Sequence, residues 1–125
     1  MVSPTPRDHG QILIYACSGR ANVGEMADAV ARELMSDGIG KMACLAGLAS
    51  GQENFRKDAE QARINLIIDG CAVGCVKAIF QQLGLTNYVY LRLTDLGIDK
   101  SGTARATPEQ TQALLARVRQ FLAQA

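Results

Sequence analysis

Four cysteines, Cys17, Cys44, Cys71 and Cys75, are the residues of this 125-residue chain best suited to chemistry. Thiolates bind soft metals, attack electrophiles and exchange disulfides. Cys17 and Cys44 lie 27 residues apart, and Cys44 and Cys71 again 27. Cys75 follows Cys71 by four residues, which on a helix is the same face one turn later. Tetrahedral zinc with Zn–S bonds near 2.3 Å keeps its ligand sulfurs roughly 3.8 Å apart. Adjacent strands lie about 4.8 Å apart, so cysteines at neighbouring strand ends can meet at one ion, and Cys75 can complete the shell from a helix.

The residues leave other readings open. Unpaired cysteines are commonly buried as small hydrophobic groups. A redox or thiol enzyme would use Cys17 as nucleophile and Cys71 or Cys75 to resolve it, with the attacking thiol ionising well below ~8.5. The Cys-x-x-x-Cys spacing is neither the Cys-x-x-Cys redox motif nor the closer zinc-ribbon pair. A third reading is a small-anion binding module at the glycine-bearing turn Cys17–Gly24, next to a helix start. That turn fails as a Walker A loop, because Glu25-Met26 follows Gly24 where Lys-Ser/Thr is needed. It also lacks G-x-G-x-x-G, and Val23 stands where a Cys-x5-Arg phosphatase loop needs arginine. The single histidine, His9, lies in the N-terminal segment, which gives no support to Cys/His or Ser/His/Asp catalysis. Whether the chain is an enzyme is not decided by these residues.

Four further side chains fall near the cysteines and are candidates to support them. Asn22 caps the following helix or bonds a thiolate. Asp69 bonds backbone amides or simply ends its strand. Asp95 and Lys100 follow the last strand, where Lys100 would offset thiolate charge or lie solvated on the surface.

The elements that position these residues follow from periodicity. Gln11–Ala16, Ile39–Cys44, Ile64–Asp69 and Tyr88–Leu93 read as strands. Ala21–Asp37, Glu53–Gln61, Ala72–Leu83 and a last segment from Pro108 read as helices, with Thr107 as N-cap and Leu114, Leu115, Val118, Phe121 and Leu122 as its apolar stripe. Leu45–Gln52 and Thr94–Thr107 read as loops. Alternation of strands and helices predicts an α/β fold: one three-layer domain over residues 11–125, with a four-stranded, mainly parallel, Rossmann/flavodoxin-like sheet covered by helices on both faces. Parallel strands present their carboxyl ends along one edge, where Cys17, Cys44 and Cys71 would stand in successive β-α units.

Composition narrows the function classes. At 48% hydrophobic residues the chain is not intrinsically disordered. A formal charge of +1 offers no argument for nucleic acid or anionic membranes, and no apolar run is long enough to span a bilayer. Residues 1–10, MVSPTPRDHG, lack an apolar segment and read as a flexible arm rather than a secretory signal. The cytoplasm is then the expected compartment, where a cysteine cluster is expected to bind metal or act in catalysis rather than form disulfides. Oligomeric state is not legible.

Tyr15-Ala16-Cys17-Ser18-Gly19, Ala21-Asn22-Val23-Gly24, Cys44-Leu45-Ala46-Gly47, Asp69-Gly70-Cys71 with Cys75, and Thr94-Asp95-Leu96-Gly97-Ile98 with Lys100 together resemble the DGC-domain family of zinc-binding proteins. The resemblance runs from about Gln11 to Lys100. It implies that all four cysteines belong to one metal site and that zinc is the cofactor. Four thiolates would saturate tetrahedral zinc and leave no open position for water, which makes such a site structural or regulatory.

Overall fold

The computed structural model describes residues 11–70, 72–102 and 104–124. The arm read over residues 1–10 and Cys71 lie outside them. The elements are β1 (Ile12–Ala16), α1 (Asn22–Ser36), β2 (Lys41–Met42), α2 (Leu45–Ala49), α3 (Glu53–Gln61), β3 (Ile64–Asp69), α4 (Cys75–Gln82), β4 (Tyr88–Arg92), a single 3-10 turn (Leu93–Leu96) and α5 (Pro108–Gln124).

The strands form one sheet in the order β2-β1-β3-β4, and every pairing is parallel. From β1 the chain crosses outward to β2, then returns past β1 to β3. The switch point therefore lies between the carboxyl ends of β1 and β3, where doubly wound sheets bind ligands.

Side-chain alternation divides the core into two layers. Ile14, Leu66 and Ile68 pack against Met26, Val30 and Leu34 of α1 and Leu114, Leu115 and Val118 of α5. Leu13, Tyr15 and Ile67 face Leu48, Ala59, Val76 and Phe80 of α2, α3 and α4. Both faces of the sheet are covered, which gives the expected three layers. Each fully buried Leu, Ile, Val or Phe contributes about 1.5–3 kcal/mol. Among the described residues no helix is long and apolar enough to cross a membrane.

Four local expectations change. The strand read over Ile39–Cys44 shrinks to Lys41–Met42, because the chain turns into α2 directly after Ala43 donates to the Ile14 carbonyl at 2.9 Å. The segment read as the loop Leu45–Gln52 contains α2; its Gly47 is small because a Cβ there would fall 2.5 Å from the Phe55 ring. The helix read from Ala72 starts at Cys75, after Gly74 adopts a φ of +66°. Phe121 is exposed rather than part of the apolar stripe of α5. The predicted start of α5 holds: Thr107 Oγ1 accepts from the Gln110 amide at 3.1 Å, and Gln110 Oε1 accepts from the Thr107 amide at 3.0 Å, a reciprocal capping box.

Candidate thiol and metal site

Cys17 is the first residue after β1. Its amide donates to the Ile68 carbonyl at 3.0 Å, one more rung of the β1–β3 ladder. The next rung of a parallel ladder would carry the Gly70 amide to the Cys17 carbonyl. That amide instead donates to Cys17 Sγ at 3.0 Å. An N–H aimed at sulfur favours the thiolate, since a hydrogen bond to the charged form stabilises it.

Gly70 is held there by close packing. A Cβ on it would fall 2.8 Å from the Val23 carbonyl carbon and 2.9 Å from its oxygen. Across the same turn, a Cβ on Gly24 would fall 3.0 Å from the Gly19 amide nitrogen. The first turn of α1 therefore presses directly on the end of β3 and on the loop that follows Cys17. These two glycines allow the close contact between Cys17 and Gly70.

Asp69 is 1% exposed. Its Oδ1 accepts from the Val76 amide at 2.8 Å and its Oδ2 from the Lys77 amide at 3.1 Å. The Tyr90 hydroxyl also bonds to it. Of the two roles open for Asp69, bonding backbone amides is the one observed. It fastens the first turn of α4, where an acidic group is favoured, and so fixes Cys75, the first residue of that helix. Burial and then the charge of Asp69 push the Tyr90 hydroxyl well above the ordinary tyrosine range, so it stays a proton donor to the carboxylate.

Cys44 is the N-cap of α2, and its Sγ accepts from the Gly47 amide at 3.3 Å. Extending the β1–β2 register places Cys44 level with Ala16, next to Cys17. It also borders a cleft of about 320 Å³ with Tyr15, Asp58 and Phe55. Burial raises the Tyr15 hydroxyl pKa, and the charges of Asp58 and Cys44 add to the rise.

Cys17, Cys44 and Cys75 thus stand at one edge of the sheet. Cys44 and Cys75 begin helices on one face, and Cys17, just past the end of β1, packs against both core layers. Cys44 and Cys75 are exposed and Cys17 is half-buried. Among the described residues, no three His, Cys, Asp or Glu side chains form a group able to hold a metal ion. Cys71, the member next to Gly70, lies outside the described residues. The donor chemistry fits a soft divalent metal, and the three described cysteines share one edge of the sheet. The described sulfurs do not by themselves enclose an ion.

The remaining candidates lie elsewhere. Asn22 neither caps α1, whose N-cap is Ala21, nor bonds a described cysteine. Its Nδ2 donates to the Asp99 carbonyl at 2.9 Å, its Oδ1 accepts from the Ser101 amide at 2.6 Å, and its own amide donates to the Ser101 carbonyl at 3.0 Å. Asn22 therefore clamps the loop after the 3-10 turn onto the start of α1. Asp95 is exposed and pairs with Arg92 at 3.2 Å. Lys100 is exposed on the clamped loop. Glu25, which the sequence did not single out, ties the same loop down: it accepts from Arg105, at 2.6 Å for the shortest contact, and from the Ala106 amide at 2.9 Å. These partners are 80 residues apart in the chain, so no local signal marks them.

Comparison with known proteins agrees with these motifs. The DGC domain family matches residues 13–118. The chain is 32% identical over 88 residues to the "Anaerobic and virulence modulator AnvM" of Pseudomonas aeruginosa, covering 70% of this chain and 67% of that protein. No solved structure matches the chain. With residues 13–118 matched and Asp69 and Gly70 at the carboxyl end of β3, beside the switch point of the sheet, the chain belongs to the DGC-domain family.

Proposed function

We propose that this protein binds a soft divalent metal, zinc foremost, through the thiolates of Cys17, Cys44, Cys71 and Cys75. The observation that carries the reading is the Gly70 amide bonded to Cys17 Sγ, beside Cys71 in sequence, with Cys44 and Cys75 at helix starts along the same edge of the sheet. The Gly70 and Gly47 amides hold the Cys17 and Cys44 sulfurs in place at that edge. A four-thiolate shell leaves no coordination position for substrate, so the site serves structure or regulation. The name of the relative, a modulator, is in keeping with a regulatory role. Reduced thiols of this kind suit a reducing compartment, and we place the protein in the cytoplasm. X-ray absorption at the zinc edge on chelator-free protein tests the shell. Four sulfur neighbours near ~2.3 Å are expected, and a nitrogen- or oxygen-dominated shell would overturn the four-thiolate reading.

A second reading draws on the exposure of Cys44 and Cys75. The same thiols would act as a redox or thiol site with Cys17 as nucleophile. It requires one thiol to alkylate much faster than the others at neutral pH. Equal, slow alkylation of all four in metal-stripped, folded protein rules it out.

A further inference from the structure

The cleft between α4 and β4 has no part in the thiol site, yet it gathers positive charge. It encloses about 240 Å³ and is bordered by the Ala72–Gly74 turn, Lys77, Tyr90 and Arg92. Lys77 Nζ lies 4.8 Å from the centre of the Tyr90 ring, and Arg92 Cζ lies 5.9 Å from the same centre. Each cation is attracted to the ring, and both border the cleft, so an anion there would meet two positive charges. Lys77 has no acidic partner among the described residues. Arg92 meets Asp95 at 3.2 Å, but that carboxylate is 62% exposed and shared with water. The nearest buried acid, Asp69, is already occupied by the Val76 and Lys77 amides and the Tyr90 hydroxyl. Those amides are therefore not available to a ligand, and the two side-chain cations must supply the attraction.

We propose that this cleft binds a phosphate-type dianion, with Lys77 and Arg92 as its two charged contacts, each held in position by its contact with the Tyr90 ring. A volume of about 240 Å³ lies below the range of drug-sized sites and suits a phosphoryl group with at most a small organic part. The position also follows the general rule that parallel sheets bind ligands beyond their carboxyl edge. Val73, 68% exposed on the bordering turn, offers an apolar contact to that organic part.

The test is titration of the full chain with inorganic phosphate at low ionic strength, followed by amide chemical shifts, with metal content measured on the same samples. Saturable shifts are expected at residues 72–78 and 90–92. Lys77→Gln and Arg92→Gln should each weaken binding by roughly fivefold or more, and Arg92→Lys should restore part of the loss. Lys57→Gln, an exposed cation on α3, should leave binding unchanged. Shifts that never saturate, or equal weakening by Lys57→Gln, overturn the proposal. Saturable phosphate binding by chain that holds no metal would support this cleft and count against the zinc reading alone.

Discussion

At the scale of single residues, the contact between Cys17 and Gly70 depends on the absence of one carbon atom. A Cβ on Gly70 meets the Val23 backbone at 2.8–2.9 Å, and backbone cannot rotate away as a flexible side chain would. Gly70→Ala should cost about 1–3 kcal/mol in urea unfolding and lengthen the amide-to-sulfur bond, slowing metal uptake. A stability change within error would show that this packing is slack. Asp69 carries a comparable burden, since it satisfies two amides of α4 while almost fully buried. Asp69→Ala should cost about 2–4 kcal/mol, read from the same unfolding curves. Tyr15 provides the pH dependence. Its folded pKa is raised above the ordinary value of 10.0 by burial and by neighbouring negative charge. The folded state thus holds the proton more tightly, so this contribution is complete below about pH 10 and is lost as pH rises through the folded value. Stability should fall with increasing alkalinity above about pH 10, by up to ~1.4 kcal/mol per pH unit for this group, and Tyr15→Phe should flatten the fall.

At the scale of elements, the long periodic segments were legible and the short ones were not. β1, β3 and α1 carry enough apolar residues in register to fix their type, and the Thr107-Pro108 start of α5 is written in capping chemistry. The two-residue β2 and five-residue α2 are decided by contacts from elsewhere: Ile14 ends the first and Phe55 shapes the second. The site was legible as far as position, because β-α register puts cysteines at one sheet edge. The direction of each sulfur was not, because it depends on backbone amides such as those of Gly47 and Gly70. Asn22 was misread for the same kind of reason. Its partners, Asp99 and Ser101, are 77 and 79 residues away, so only a helix cap or a bond to a thiolate was visible. Asn22→Ala should free this loop. Hydrogen exchange at the Ser101 amide should rise at least about tenfold, while amides in β3 keep their protection. Unchanged Ser101 exchange would mean that Glu25 and Arg105 alone hold the loop.

At the scale of the whole molecule, a small doubly wound sheet sets the starts of α1, α2 and α4 along its carboxyl edge, with Cys17 after β1, Cys44 at the start of α2 and Cys75 at the start of α4. Two core layers of buried apolar side chains, with Cys17 the one described thiol packed against them, give the scaffold its stability, so a metal there would be an added function rather than a requirement for folding. Chelation should accordingly leave the far-ultraviolet circular dichroism spectrum in place and lower Tm, by an amount set by the affinity for the ion. Complete unfolding on chelation would show instead that the ion is part of the core. The most direct test of the thiolate site is the zinc-to-protein ratio of chain purified without chelator, measured by elemental analysis. One zinc per chain, lost when Cys17 and Cys71 are replaced by serine, is the predicted result; folded protein with no bound metal would contradict it.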